Sequence, residues 1–152
     1  MLEETELYNT LVRVARGKSD NQVWMECFTQ DLKTEIILLI QQDQLTAKGV
    51  DEAGRVIGLY SYLTELITKG RKQEGEHFTL DDTGSFYRSM FITVFNDSFV
   101  IDANSSTFEE MKLQDWYTDG ILGLTDGNLQ KVIDKIRQKY QQQMELLLYG
   151  SV

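Results

Sequence analysis

His77-Phe78-Thr79-Leu80-Asp81-Asp82-Thr83-Gly84-Ser85-Phe86-Tyr87-Arg88-Ser89-Met90, running straight into Phe91-Ile92-Thr93-Val94-Phe95, decides how the rest of the chain reads. Asp81 or Asp82 can accept a bond from backbone N–H groups two or three residues on, which starts a helical turn. Phe86, Tyr87 and Met90 give that turn an apolar side. The β-branched and aromatic run 91–95 then predicts a strand, and Asn96-Asp97-Ser98 turns it into a second strand over 99–103. A short capped turn thus feeds a hairpin, with no catalytic group next to it in sequence.

Outward from this segment the helices read from their apolar spacing. The chain expects an N-terminal helix over 1–17, with Leu7, Leu11 and Val14 in register and Gly17 ending it. Ser19 or Asp20 caps a long helix over 21–44, whose stripe is Val23, Trp24, Cys27, Phe28, Leu32, Ile36, Leu39 and Ile40. Residues 45–80 are irregular: Lys48–Gly54 is turn chemistry, 56–60 is extended, and Lys69–Glu76 is a polar, glycine-bearing loop. The capped turn and hairpin occupy 81–104. A short helix over 107–117 carries Phe108, Met111, Leu113 and Trp116, and Gly120–Leu124 breaks it. Thr125 or Asp126 caps the last helix, over 125–149, striped by Leu129, Val132, Ile133, Ile136, Tyr140, Met144 and Leu147. The predicted fold is one α+β domain: two long helices packed on one face of a small antiparallel sheet built from 56–60, 91–95 and 99–103, with the hairpin central.

Composition narrows the functional classes. The 152 residues have 41% hydrophobic content, 26% charged content and no proline. No apolar run approaches the roughly 18 residues of a membrane span, and the acidic start Met1–Glu6 is no signal peptide. Cys27 is the only cysteine, so no intrachain disulfide is expected. The net charge of −9 disfavours a general nucleic-acid binder. It is unevenly spread, from +2 over 45–73 to −5 over 74–102 and −4 over 107–127. Such blocks are ordinary on a solvated surface, and they also allow head-to-tail pairing of identical subunits.

Catalytic and ligand-binding patterns are sparse. His77 is the lone histidine, with no Cys/His cluster for zinc. Asp115, Asp119 and Asp126 lack calcium-loop spacing, and no phosphate- or dinucleotide-binding glycine pattern occurs. Asp82 favours the positive end of a helix dipole, Gly84 permits close backbone approach, Phe86 buries, and Ser89 can bond back to a carbonyl. Those roles are structural. Asp81 and Asp82 as catalytic acids would need a partner group, and the sequence offers none. Trp24 reads as core; Trp116 and Tyr117 serve equally as core or as interface anchors. No cofactor and no metal are expected, and the chain reads as a non-enzyme.

Three stretches, in order, resemble the small tail-completion and head–tail connector (neck) proteins of tailed bacteriophages. Thr79–Ser89 is similar to the family's "leucine, charged residue, Asp-Thr-Gly" segment ahead of the central strands. Gly120-Ile121-Leu122-Gly123-Leu124-Thr125 is similar to the run before the family's last helix. Lys48–Ser61 looks like the "Lys-Gly-Ile-Asp, small, Gly" segment of versions in phages of gut anaerobes. The likeness covers roughly 21–148, and Glu109–Tyr117 departs from the pattern. Asp-Thr-Gly also occurs in aspartic proteases, but there it lies in a strand and loop, whereas Phe86–Ser89 reads as helix. The resemblance implies structural motif residues Asp82, Thr83, Gly84, Phe86, Ser89, Gly123 and Thr125. It implies a virion protein of the neck that forms a homo-oligomeric ring joining portal to tail. Its partners would be identical subunits and portal, other neck or tail proteins. Packaged DNA would pass without specific binding, no membrane would be involved, and the chain would reach the virion from the host cytoplasm. Tyr60, Arg71, Lys72, Asp97, Trp116 and Tyr117 are the expected subunit-interface residues. The alternative is a small regulatory or adaptor module that binds a protein through its long helices.

Overall fold

The computed structural model describes residues 6–7, 9–10, 13, 17–81, 84–103 and 119–149. Its elements, in chain order, are α1 (Asp20–Cys27), α2 (Gln30–Leu38), a π-helical segment (Leu39–Lys48), α3 (Tyr62–Ile67), α4 (Ser85–Arg88), β1 (Met90–Val94), β2 (Phe99–Ala103), a 3₁₀ turn (Asp119–Leu122) and α5 (Asp126–Tyr149). The class is α+β. The expected helices over 1–17 and 107–117 fall wholly or largely outside the described residues.

α1 starts at a reciprocal cap. Ser19 Oγ accepts from Gln22 N–H at 3.3 Å, and Gln22 Oε1 accepts from Ser19 N–H at 2.9 Å. The single helix expected over 21–44 is interrupted: Phe28 leaves helical geometry at ψ 67°, and Thr29 caps a new helix by accepting from Leu32 N–H at 3.3 Å. The break sets the Phe28 ring against Trp24 and Phe99, with centroids 4.9 and 5.2 Å away. After Leu38 the backbone widens to π geometry, in which Ile40, Gln44 and Leu45 all face inward. Gly49 ends it at φ 62°, where its left-handed backbone lies against the His77 ring; a side chain there would collide with that ring.

β1 and β2 pair antiparallel from Met90↔Ala103 to Val94↔Phe99, and Phe95 N–H donates to Ser98 O at 2.8 Å to close the hairpin. Met90, Ile92 and Ala103 turn inward; Phe91, Thr93, Val100 and Asp102 turn outward. The third strand expected over 56–60 does not join this sheet. Its segment makes only two single bridges, Val50↔Val56 and Leu59↔His77. The reason is local. The buried Asp51 carboxylate accepts from the N–H groups of Ala53 and Arg55, both at 3.0 Å, and from the Arg55 guanidinium at 2.9 and 3.1 Å, folding 51–55 back on itself. Gly58 then lies flat under the Phe78 ring.

Two apolar clusters hold these parts together. Cys27, Phe28, Leu32, Ile36, Ile92, Val132 and Ile136 form one, between α1, α2, α5 and the hairpin. Ile40, Leu45, Phe86, Met90, Ala103, Ile121 and Leu122 form the other, around the π segment. Ile37, Ile101 and Leu124 touch both clusters.

Candidate functional site

The segment that opened the sequence reading lies over the second cluster. Asp82 and Thr83 lie outside the described residues. The N-cap position of α4 is Gly84, at φ 73°, a residue with no side chain to cap with, rather than Asp81. Phe86 is buried among Ile40, Leu45 and Met90, and Ser89 Oγ donates to Phe86 O at 2.8 Å. Tyr87 fastens the neighbouring strand-like segment: its hydroxyl donates to Thr79 O at 2.5 Å, and Gln41 Nε2 donates to Tyr87 O at 2.7 Å. Burial pushes the Tyr87 phenol up to about 12, so it holds its proton at any physiological pH.

Gly123 and Thr125 meet a residue that sequence reading passed over. Gln44, fully buried, donates from Nε2 to Gly123 O at 2.8 Å; its Oε1 accepts from Thr125 N–H at 2.9 Å and from Asn128 Nδ2 at 3.0 Å. Asn128 Nδ2 also reaches Asp43 Oδ2 at 2.8 Å. Thr125, rather than Asp126, caps α5, since its hydroxyl accepts from Asn128 N–H at 3.4 Å. The Asn128 hydrogen bond, then Lys48, holds the Asp43 carboxyl below the usual carboxylate range. The one sequence cue was polar Gln44 sharing the inward stripe four residues after Ile40.

The remaining expected positions divide by location. Tyr60 is half-buried; its ring packs at a tilt of 53° against Phe78 with centroids 4.9 Å apart, and its hydroxyl accepts from Thr79 N–H at 3.2 Å. Lys72 Nζ sits 5.4 Å from the Tyr60 ring centroid. Arg71 is exposed on the loop after α3. Asp97 is exposed at the hairpin tip. Trp116 and Tyr117 lie outside the described residues. Tyr60, Arg71 and Lys72 therefore share one region, and Asp97 belongs to another.

His77 and Cys27 are both packed into the fold. His77 Nε2 lies 2.8 Å from Thr46 O. Cys27 is buried in the first cluster, and burial pushes its thiol pKa up, away from thiolate chemistry. Among the described residues, no group of three or more His, Cys, Asp and Glu could hold a metal ion. Among them too, no helix is long and apolar enough to cross a membrane. A cleft of about 690 Å³ lies between 52–54 and the start of α5, lined by Glu52, Thr125 and Asp126 among others.

The surface feature that stands out is α3, which buries none of its residues. Leu63 is 64% exposed and Ile67 72%; Tyr62 and Leu66 are also exposed, as are Val56 and Leu59 just before the helix. Phe91, Phe95 and Val100 form a second exposed apolar group on the hairpin. No family model, no curated protein and no solved structure matches the chain.

Proposed function

We propose that this chain is a structural protein of the phage neck, which completes the tail or joins head to tail as a ring of identical subunits between portal and tail. The observation that carries this reading is the exposed apolar group on α3 and the residues before it, which has no role in the chain's own core. Apolar surface of that extent marks a contact with another protein. The three ordered sequence resemblances point to the neck as the place of that contact. In this reading the helical run 20–48 and α5 serve as two long helical layers that carry the hairpin at the centre of the subunit. The chain works by assembly rather than turnover and takes no cofactor. A net charge of −9 lets packaged DNA pass through the ring by like-charge repulsion.

The test is direct. Purified particles of a phage that encodes this chain, studied by mass spectrometry and electron microscopy, should contain it in multiple copies at the portal–tail junction. Its absence from mature particles would overturn the reading. The adaptor alternative draws on a separate observation: α5 exposes Leu129, Ile133, Leu146 and Tyr149 along its length. It requires a monomer that remains monomeric beside portal and tail proteins and binds a partner through α5.

A further inference from the structure

α3 is a helix of six residues that contributes nothing to the core, yet both its ends are closed. Ser61 Oγ accepts from Thr64 N–H at 3.3 Å; beyond the far end, Gly70 N–H donates to Glu65 O at 2.9 Å, and Thr68 Oγ1 donates to Thr64 O at 2.8 Å. So short a helix is not stable by its own hydrogen bonds. These contacts hold Tyr62, Leu63, Leu66 and Ile67 in a fixed outward display. With Val56 and Leu59 they are six large apolar residues, each more than half exposed within a stretch of twelve, more than the singly scattered exposure that needs no explanation. The turn after α3 carries Lys69, Arg71 and Lys72 together, with Glu65 on the helix and Glu74 and Glu76 on the segment that returns past Tyr60. Glu65 is engaged locally, accepting from Glu74 N–H at 2.8 Å.

The hairpin is the complement in both respects. Its exposed apolar group is Phe91, Phe95 and Val100, and the only charges over 91–103 are Asp97 and Asp102, a net of −2. The hairpin tip, with Phe95 and Asp97, sits at the other end of the helical run from α3, while the hairpin base, with Phe91 and Asp102, lies beside Met90 and the π segment. Trp24 Nε1 donates to Phe95 O at 2.8 Å, and Phe28 packs on Phe99, so the hairpin tip lies by α1. His77, which bridges to Leu59 just before α3, bonds at Thr46, at the far end of the π segment. The helical rise from Phe28 to Thr46 separates these anchor points by roughly 25 Å.

We infer that these patches are the two halves of one heterologous interface, in which the α3 face of each copy seats on the hairpin of the next. The inference rests on the ring reading above and names its contact. Apolar surface meets apolar surface, and Arg71 with Lys69 meets Asp97 with Asp102. Because the halves are two different surfaces of one subunit, every bound pair leaves one of each free, and growth continues until rotation closes a ring.

Light scattering on the full-length chain, with Ile67→Asp and Phe95→Asp variants, tests this. The wild type is expected to form oligomers, and each variant to run as a monomer whose circular dichroism melt matches that of wild type diluted until it too is monomeric. An equimolar mixture of the two variants should then give a heterodimer and nothing larger, because only one intact pair of patches remains. Arg71→Glu and Asp97→Lys keep the test independent of the apolar changes. Each should weaken association at least tenfold, and the two combined in one chain should restore it. A wild type that stays monomeric to about 1 mM, variants that still assemble, or a mixture that stays monomeric would each overturn the pairing. The neck reading is judged separately by the chain's presence in particles, so either idea can fail while the other stands.

Discussion

Gln44 is a polar side chain in the middle of an apolar stripe, and its three hydrogen bonds explain why it is tolerated there. It ties the Gly123–Thr125 turn to the π segment, so the start of α5 is fixed by a side chain some eighty positions earlier in the chain. Gln44→Leu keeps the volume but takes the partner from the Gly123 carbonyl and the Thr125 N–H, both at half-buried positions. Losing these bonds should cost about 1–3 kcal/mol, read as a lower urea midpoint with unchanged slope. Asp43 adds a pH signature. Its folded pKa lies below the ordinary carboxylate value, first through Asn128 and then through Lys48. The stability it contributes is therefore complete above the unfolded value of about 4 and disappears as pH falls through the folded value. The stability gap between wild type and Asp43→Asn should be largest near neutrality and close on acidification. A gap that stays constant down to about pH 2 would show that Asp43 is not linked to folding in this way.

At the scale of elements, sequence and structure part where local side chains override a periodic pattern. The stripe from Val23 to Ile40 correctly marked the inward face, because apolar burial is periodic and local. It did not show the break at Phe28–Thr29, since a threonine cap and a continuous helix fit the same spacing. Nor did it show the π turns, whose i, i+4, i+5 inward set differs from the α pattern by a single position. The hairpin was legible from β-branched residues and the Asn96-Asp97-Ser98 turn. The failure at 56–60 came from Asp51, whose carboxylate folds 51–55 into a turn, so that the segment after it bridges Val50 and His77 instead of the hairpin. Of the candidate site, Arg71 and Asp97 were legible as exposed charges, whereas the outward display of α3 was not, because six residues hold too few turns to show a face. Gly49 makes an element-scale test, since it ends the π segment and touches His77 at once. Gly49→Ala should cost about 1–2 kcal/mol from its left-handed backbone alone, plus the collision with the His77 ring. In a His77→Gly background, which removes the β-carbon as well as the ring, only the backbone share should remain. A double-mutant cycle by urea unfolding separates the two, and full additivity would refute the collision.

Across the whole molecule, the two clusters and the exposed patches answer to different demands. Ile36 and Ile40 have no exposed surface and belong to folding. Leu63 and Ile67 are mostly in water and contribute almost nothing to the chain's own stability. Leu63→Ser with Ile67→Ser should therefore leave the unfolding free energy of a dilute, monomeric sample within about 0.5 kcal/mol of wild type. At concentrations where the wild type associates, the same pair of changes should lower the melting temperature relative to wild type, because association binds only the folded state and raises its apparent stability by mass action. The measurement is a melt at two concentrations about a hundredfold apart, for wild type and the double variant. A wild-type melting temperature that rises with concentration while the variant's does not would place the chain's surplus apolar surface in association. Equal loss at both concentrations would place it in the fold, and the outward helix would then need an account inside a single subunit.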